Sequence, residues 1–366
     1  MALVCALLLA LLALPLAAHA DQIAPNPNPS GDTITVSGSD ENDENFTNNG
    51  SLEITGSGAL ANTDRLTSNG TLAIASGGTL TSSTSWGSVW NYGTLTNAGT
   101  LSNLSGSTIY NNSGATLENS GTLSNSGTIE SYDAFANSGT IHNYTGGEIY
   151  IYSGTFTNTG SLINDDWFEN RGTLSNSSTI TSSGWLANSG AWNNTSSVDT
   201  SGVVYNYSGG TWTNSSSGSL TNSGSFYDWG SFINSGTFQI GWGGAATNNS
   251  TITNTGTFTV GAGGTFTNNG EVRSSDTFTN AGTLTNNGTL TNNGTFTNSG
   301  TFSGTGTFVN DGGTIDDSGT MSIATLVVHS GSTGTVTGTA ATSVTTADIG
   351  GTLDYTGSGS LSVATL

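Results

Sequence analysis

The chain has 366 residues, of which 3 are Lys or Arg and 24 are Asp or Glu, so its formal net charge at pH 7 is −21. Nucleic acids and anionic lipids are bound through clustered cations, and this composition argues against both as partners. Cys5 is the only Cys, so the rest of the chain offers neither a disulfide nor thiol chemistry.

Residues 1–20 have the pattern of a secretory signal peptide. The run from Leu3 to Leu14 is almost entirely Leu and Ala, and Ala18-His19-Ala20 forms an A-x-A cleavage site. The apolar run is short for a membrane span, which favours cleavage near Ala20 over a transmembrane anchor. We therefore expect a secreted protein, with a Pro- and Asn-rich linker over residues 21–30 after the signal peptide.

Residues 31–310 carry a repeat in which an apolar residue recurs every six residues, with occasional steps of eight. The longest regular runs fall at Phe156, Leu162, Phe168, Leu174, Ile180, Leu186, Trp192, Val198 and Val204, and at Phe266, Val272, Phe278, Leu284, Leu290, Phe296, Phe302 and Phe308. A period of six does not keep apolar residues on one face of an α-helix. It does fit a short strand followed by a corner.

The unit Gly-Thr-Leu-Thr-Asn-Asn at residues 282–287 illustrates the predicted geometry. Leu284 points inward, the two flanking Thr residues point outward, and Asn and Gly form the corner. One unit cannot bury its apolar side chain alone, but stacked coils can. We therefore predict an all-β, three-sided parallel β-helix (β-solenoid) with 18–20 residues per coil. A small residue two positions before the aliphatic residue is also found in left-handed hexapeptide helices, whereas the steps of eight and the Asn corners favour a right-handed solenoid.

The distribution of Pro supports this fold. The four Pro residues all lie before residue 30, so the repeat contains none of the residue that breaks strand ladders. From residue 311 to Leu366 the hexads loosen while the alternation of side chains persists, and we interpret residues 311–366 as a degenerate end of the repeat.

The repeat resembles the passenger regions of bacterial autotransporters and of filamentous-haemagglutinin-like adhesins. Residues 282–290, Gly-Thr-Leu-Thr-Asn-Asn-Gly-Thr-Leu, carry the resemblance, and the start at residues 31–36 is similar to passenger starts. The resemblance implies a β-helical passenger of type V secretion at the cell surface, associated with the outer membrane, that acts in cell adhesion, aggregation or biofilm formation. Its implied partners are glycans or proteins of host or neighbouring cells, or further copies of the chain. Autotransporters end in a translocator barrel, whereas this sequence stops inside strand-like repeats and shows no recognisable two-partner secretion domain. We expect either a fragment that precedes a barrel or a different export route.

Aromatic residues provide the candidate ligand-binding site. Trp192 and Trp212 occupy the inward phase and are expected in the core. Others are one residue out of this phase and should face outward, where a row of aromatic side chains commonly marks a binding surface. These candidate ligand contacts are Tyr110, Tyr150, Trp167, Trp185, Tyr205 and Tyr227. The alternative is that they fill gaps at loose corners.

Catalysis is one competing interpretation, because some parallel β-helices degrade polysaccharides. Asp165 and Asp166 with Glu169, and Asp316 with Asp317, are the carboxylate clusters that could act as acid and base. The chain contains no Lys that could bind a uronate, and Arg171 is better placed to form an ion pair with the first cluster. We therefore predict solvated carboxylates and no enzymatic activity.

Metal and cofactor sites are not expected either. His142 and His329 have no second His or Cys at ligand spacing, which argues against zinc. The Gly-rich stretches contain no Lys and open no helix, so they do not resemble phosphate-binding loops.

Ice binding is the main competing interpretation, ahead of catalysis. Thr-x-Thr pairs such as Thr265 and Thr267, or Thr283 and Thr285, could place ranks of hydroxyl groups on a flat β-face, as in β-solenoid antifreeze proteins. The pairs recur on successive hexads, however, so we expect them on all sides of the coil rather than on one.

Overall fold

Short parallel strands make up the fold throughout the described part of the chain. The computed structural model describes residues 21–83, 85–336, 342–356 and 360–366, and the predicted signal peptide lies outside them. Within these ranges there are 49 strands and no helix. Each strand is hydrogen-bonded in parallel to strands of the preceding and following coils, which gives a β-solenoid of about 17 turns. The predicted fold class is therefore confirmed, whereas the handedness stays a prediction.

Three faces are formed because each complete coil contributes one strand to each. Face A is the 18-stranded sheet. Its strands are β1 Asp21–Gln22, β3 Ser39–Asn42, β6 Ala59–Asn62, β9 Thr79–Ser82, β12 Thr100–Asn103, β15 Thr122–Asn125, β18 Thr140–Asn143, β21 Ser161–Asn164, β24 Thr179–Ser182, β27 Ser197–Thr200, β30 Ser219–Asn222, β33 Thr237–Ile240, β36 Thr257–Val260, β39 Thr277–Asn280, β42 Thr295–Asn298, β44 Thr314–Asp317, β46 Thr333–Val336 and β48 Thr352–Tyr355.

The other strands form faces B and C. Face B consists of β2 Thr33–Val36, β5 Ser51–Ile54, β8 Thr71–Ile74, β11 Thr94–Asn97, β14 Thr116–Asn119, β17 Ala134–Asn137, β20 Thr155–Asn158, β23 Thr173–Asn176, β26 Ala191–Asn194, β29 Thr211–Asn214, β32 Ser231–Asn234, β35 Thr251–Asn254, β38 Glu271–Ser274 and β41 Thr289–Asn292. Face C consists of β4 Phe46–Asn48, β7 Leu66–Ser68, β10 Val89–Asn91, β13 Thr108–Asn111, β16 Thr128–Ser131, β19 Glu148–Ile151, β22 Trp167–Asn170, β25 Trp185–Asn188, β28 Val203–Asn206, β31 Ser225–Asp228, β34 Ala245–Asn248, β37 Thr265–Asn268 and β40 Thr283–Asn286. Near the C-terminus the longer strands β43 Thr301–Asn310, β45 Thr320–Val328 and β47 Thr342–Ile349 continue from face C into face B, followed by β49 Leu361–Thr365.

Coil length varies with the corners. In short coils 18 residues separate equivalent positions, as between Asn170 and Asn188, and in longer ones 22, as between Asn206 and Asp228. The upper bound of 20 predicted from the sequence is therefore too low. The 22-residue coil has extended turns at two of its corners, residues 207–210 and 215–218, whereas the predicted 20-residue coil has an extended turn at only one corner.

The second residue of nearly every strand is apolar and fully buried. Because paired strands are in register, like residues stack on like: on face A, Phe238, Phe258, Phe278 and Phe296 have successive ring-centroid separations of 4.8, 4.5 and 5.5 Å. Burying one such side chain contributes about 1.5–3 kcal/mol. The core is therefore a continuous apolar column, and each coil depends on its two neighbours for it.

The fourth residue of nearly every four-residue strand is also buried, and it is usually Asn. The prediction that this Asn forms the corner is therefore wrong: in the unit at residues 282–287, Asn286 lies inside and only Asn287 and the following Gly form the turn. The strand alternation that directs the second residue inward directs the fourth inward as well.

Buried Asn side chains form hydrogen-bonded ladders along the solenoid. On face B each Asn Nδ2 donates to the Oδ1 of the Asn one coil further, at 2.7–2.8 Å, and the last donates to the Ser274 hydroxyl at 3.0 Å. Its members are Asn97, Asn119, Asn137, Asn158, Asn176, Asn194, Asn214, Asn234 and Asn254. The same Nδ2 groups also donate to backbone carbonyls of the next coil, for example Asn137 to Ser161 at 3.1 Å. Partners in the adjacent coils therefore satisfy polar groups that are costly to bury alone.

An aromatic strip on face C

The six aromatic residues proposed from the sequence all lie on face C. Tyr110, Tyr150, Tyr205 and Tyr227 occupy the third, outward position of their strands, and Trp167 and Trp185 occupy the first, also outward, position. The alternative assignment to corners is wrong for these six, because each belongs to a strand. Whether they contact a ligand stays a prediction.

Further aromatic residues extend this row and were not proposed from the sequence. Trp90 is the middle residue of the three-residue strand β10 and is paired with Tyr110 of β13. Aromatic residues also directly follow strands of face C, at Tyr92, Tyr132, Tyr152, Tyr207 and Trp229. The spacing of Tyr132 and Tyr152 by one coil length is a signal in the sequence, but the hexad pattern places corner residues such as Asn and Gly after the strand. We define the aromatic strip as Trp90, Tyr92, Tyr110, Tyr132, Tyr150, Tyr152, Trp167, Trp185, Tyr205, Tyr207, Tyr227 and Trp229.

The strip runs parallel to the solenoid axis from β10 to β31, which is about 34 Å at ~4.8 Å per strand. Thr occupies the equivalent outward position in the strand just beyond each end of the strip. Thr67 pairs with Trp90 at one end, and Thr247 pairs with Tyr227 at the other. The remaining Trp residues lie outside it. Trp192 and Trp212 are stacked in the core with centroids 4.1 Å apart, as predicted. Trp86 and Trp242 are highly exposed at turns from face A to face C.

Rings of successive coils lie against one another along the strip. In its first half, Trp90 and Tyr110 have a centroid separation of 4.2 Å, and Tyr132 and Tyr152 one of 5.0 Å. In the second half the separation is 5.3 Å between Trp167 and Trp185. The Tyr132 and Tyr152 rings are stacked at an interplanar angle of 18°, whereas the other two pairs are tilted by 33° and 39°.

The widest aromatic area surrounds Tyr205. Its ring lies 5.4 Å from that of Tyr227, 5.5 Å from that of Tyr207 and 5.8 Å from that of Trp229, with interplanar angles of 18°, 9° and 22°. Trp185 is 43% exposed and Trp229 is 40% exposed. Near-parallel, offset rings with this exposure leave parts of their faces and polar edges accessible to a ligand.

Charged groups occupy the middle of the strip. The Tyr132 hydroxyl donates to Glu130 at 2.8 Å, and burial together with this hydrogen bond raises the pKa of Tyr132 to about 12. Burial, followed by the charge of Glu148 and a hydrogen bond to it, raises the pKa of Tyr150 to about 12. Both phenols therefore stay neutral hydrogen-bond donors at physiological pH.

Two Arg residues stack on rings of the strip. Arg171 forms the expected ion pair with Glu169, with Nε 2.6 Å from Oε1, and its guanidinium lies 4.9 Å from the ring centroid of Tyr152. Arg65 lies over Trp90 at 4.3 Å. Cation–π contacts of this kind fix ring orientation and add a positive charge to an otherwise acidic surface.

The predicted carboxylate clusters are not assembled as acid–base pairs. Asp165 accepts a 2.7 Å hydrogen bond from His142, which is the main cause of its lowered pKa, whereas Asp166 accepts from the Gly146 backbone N–H at 2.7 Å. Glu169 is held by Arg171 instead. The three carboxylates thus have separate partners and do not form an acid–base pair with one another.

Strand alternation separates the second cluster. Asp317 points inward and accepts from Asn298 at 2.6 Å, and its burial raises its pKa, whereas Asp316 points outward. His329 pairs with Asp311 at 3.0 Å. In the described part of the chain, no group of three or more His, Cys, Asp or Glu residues is placed to hold a metal ion.

The Thr-x-Thr pairs are distributed around the coil, as expected from the sequence. The pairs at Thr265 and Thr283 lie on face C, while those at Thr289 and Thr295 lie on faces B and A. On face A the pairs of β36, β39 and β42 follow one another before Asp316 interrupts the rank. The longest of these ranks therefore extends over few coils.

Comparisons with known proteins give one family. The chain matches the model of a haemagglutinin repeat over residues 17–103, 76–184, 154–224, 234–300 and 286–365. No curated protein matches it. A crystal structure of a hyper-glycosylated TibA fragment, glycosylated by TibC catalysis, matches over 93% of this chain and 97% of its own, at 17% identity and a TM-score of 0.21. No helix in the described residues is long and apolar enough to cross a membrane.

The repeat matches extend over nearly the whole chain, and the apolar hexads they contain are those that form the solenoid core. The chain belongs to the haemagglutinin-repeat family, as an adhesin-like β-solenoid.

Proposed function

We propose that this protein is secreted, displayed at the cell surface, and adheres to other cells through the aromatic strip on face C. Residues 1–20 act as its signal peptide. The observation that carries the proposal is the concentration of exposed and half-buried rings on one face over about 34 Å, while the corresponding positions beyond the strip hold Thr. A rod with one adhesive face needs no catalytic site, and we propose a structural rather than an enzymatic role.

The strip's chemistry suits a ligand that has apolar faces and many hydroxyl groups. Offset rings provide stacking area, and the phenol oxygens of Tyr132 and Tyr150, whose protons are donated to Glu130 and Glu148, can accept hydrogen bonds. The Glu130 and Glu148 carboxylates have further acceptor capacity for sugar hydroxyls. Glycans of a partner cell combine these features. Apolar side chains of a partner protein would contact only the ring faces and would leave the hydrogen-bonding groups of the strip without partners.

The proposal is tested with a triple substitution in the strip, Trp167→Ser, Trp185→Ser and Tyr227→Ser. The matched control is Trp242→Ser, which removes an 83% exposed indole outside the strip. Beads coated with each purified protein are scored for adhesion to cultured cell monolayers and to one another, and circular dichroism checks the fold. Each lost ring contact removes about 0.5–1.5 kcal/mol, so adhesion should fall at least about tenfold in the triple variant and stay unchanged in the control. Unchanged adhesion of the folded triple variant contradicts the proposal.

A further inference from the structure

Two of the three Arg residues in the chain have the same local partner. Arg171 and Arg273 each follow a Glu by two residues, and in each case Nε lies 2.6 Å from a carboxylate oxygen of that Glu. Alternate residues project to the same side, so Glu271 neutralises Arg273 within β38, and Glu169 of β22 neutralises Arg171, which directly follows that strand.

Arg65 differs because Thr63 stands where the Glu would be. Its Nε donates to the Thr67 hydroxyl at 3.2 Å, and no described residue forms an ion pair with its guanidinium. The adjacent Asp64 carboxylate instead accepts the backbone N–H of Arg65 at 2.7 Å. An exposed cation without a carboxylate partner is unusual in a chain with 24 acidic residues.

Arg65 also lies next to one end of the aromatic strip. Its guanidinium lies 4.3 Å from the Trp90 ring centroid, and Trp90 in turn lies 4.2 Å from Tyr110. A guanidinium carries five N–H donors in a planar fork, and only one of them is used by Thr67. The planar fork matches a carboxylate, with which it can form two parallel hydrogen bonds.

We propose that Arg65 and Trp90 form a carboxylate-recognition subsite, and that the ligand of the strip is a glycan with an acidic sugar at this end. This inference rests on the proposed function of the strip. Trp90 and Tyr110 pack against the sugar ring, and Arg65 binds its carboxylate. The net charge of −21 disfavours densely charged polymers, so the ligand carries isolated acidic groups.

The middle of the strip favours a glycan over an acidic peptide. Glu130 and Glu148 lie along it and would repel further carboxylates of a peptide, whereas they accept hydrogen bonds from sugar hydroxyls. An acidic peptide that competes for the site as well as the acidic glycan does would contradict this part of the proposal.

The test uses three immobilised probes: lacto-N-tetraose, the same glycan with a terminal sialic acid, and the sialylated glycan as its methyl ester. The full protein should bind the acidic glycan about tenfold more tightly than the other two, and the preference should weaken at high salt. Arg65→Gln should abolish this preference, so that the acidic glycan and its methyl ester bind equally. Arg65→Lys should keep only part of it, because a point charge replaces the planar fork.

Arg273→Gln is the matched control, since it removes an exposed Arg on face B and should leave all three affinities unchanged. Equal affinities for the acidic glycan and its ester in the wild type, or a preference retained in Arg65→Gln, would overturn the subsite. Absence of binding to all three probes would overturn it as well. The adhesion assay with the strip variants reads the proposed function separately, because it does not depend on an acidic sugar.

Discussion

Asp228 interrupts a ladder of buried Asn side chains and gives the sharpest test of how the solenoid interior is stabilised. It occupies the fourth position of β31, between Asn206 of the preceding coil and Asn248 of the next. Oδ1 accepts from Asn206 Nδ2 at 2.7 Å and from the Gly230 N–H at 3.2 Å, while Oδ2 is buried with no hydrogen-bond partner among the described residues. Burial raises the pKa of Asp228 from 3.8 to about 6, although both hydrogen bonds act to lower it.

The raised pKa of Asp228 determines whether stability rises or falls with pH. Between pH 3.8 and about 6 the opened coil loses the proton of Asp228 before the folded coil does, so the free energy of opening this coil falls as the pH rises through this window. The loss is complete above the folded pKa and amounts to about 3 kcal/mol, at 1.36 kcal/mol per pKa unit. Asp228→Asn removes the ionisation and restores an Nδ2 donor toward the next coil. We therefore expect this variant to be more stable at pH 7 by up to about 3 kcal/mol.

Hydrogen exchange measured by mass spectrometry is the appropriate assay, because a solenoid opens coil by coil and has no single free energy of unfolding. Peptides that contain β31 and its neighbours β28 and β34 should exchange more slowly in Asp228→Asn than in the wild type at pH 7, and the difference should shrink toward pH 4. Asp276→Asn, at an exposed corner, is the control and should leave exchange unchanged. Faster exchange in Asp228→Asn at pH 7, or a difference that does not depend on pH, would refute the reasoning.

Two further predictions concern the ladders and the corners. Asn137→Ala deletes a link of the face B ladder and should destabilise its coils by about 2–4 kcal/mol, because it leaves buried groups unpaired and creates a cavity. In the same exchange assay, Asn269→Ala at an exposed position should cost under about 0.5 kcal/mol. Equal effects of the two substitutions would contradict a stabilising ladder. Gly202→Ala should disrupt its corner, because a Cβ there would clash with the Gly184 carbonyl oxygen, whereas a Cβ at Gly38 would meet nothing within 4 Å. Thermal unfolding followed by circular dichroism should show a lower midpoint for Gly202→Ala than for Gly38→Ala. An unchanged midpoint in Gly202→Ala would contradict the corner packing.

The apolar hexads made the fold predictable from the sequence. A fixed interval between residues such as Leu284 and Leu290 identifies strands, and in-register stacking follows from the need to bury single apolar side chains. The Asn ladders were missed because Asn is a common corner residue. Inward Asn is favourable only when the adjacent coils supply its hydrogen-bond partners, and a single hexad does not reveal those partners.

The candidate site was predictable in part. Alternation within the strand placed Tyr110 and Tyr227 on the outside, but the face on which each lies depends on the insertions at every intervening corner. Tyr92 and Trp229 follow their strands at positions where the repeat usually has Asn or Ser, so the single-hexad pattern gave no reason to group them with the others. The pairing of Arg65 with Trp90 joins residues in adjacent coils and becomes visible only once the register is known.

The register itself is tested most directly by pyrene excimer fluorescence. Thr247 and Thr267 are paired at outward positions of adjacent strands on face C, whereas Thr259 lies closer to Thr247 in sequence but projects from face A. In a Cys5→Ser background, pyrene labels at Thr247→Cys and Thr267→Cys should give strong excimer emission, and labels at Thr247→Cys and Thr259→Cys should give monomer emission only. Excimer emission from the second pair, or none from the first, would contradict a solenoid whose residues return to the same face once per coil.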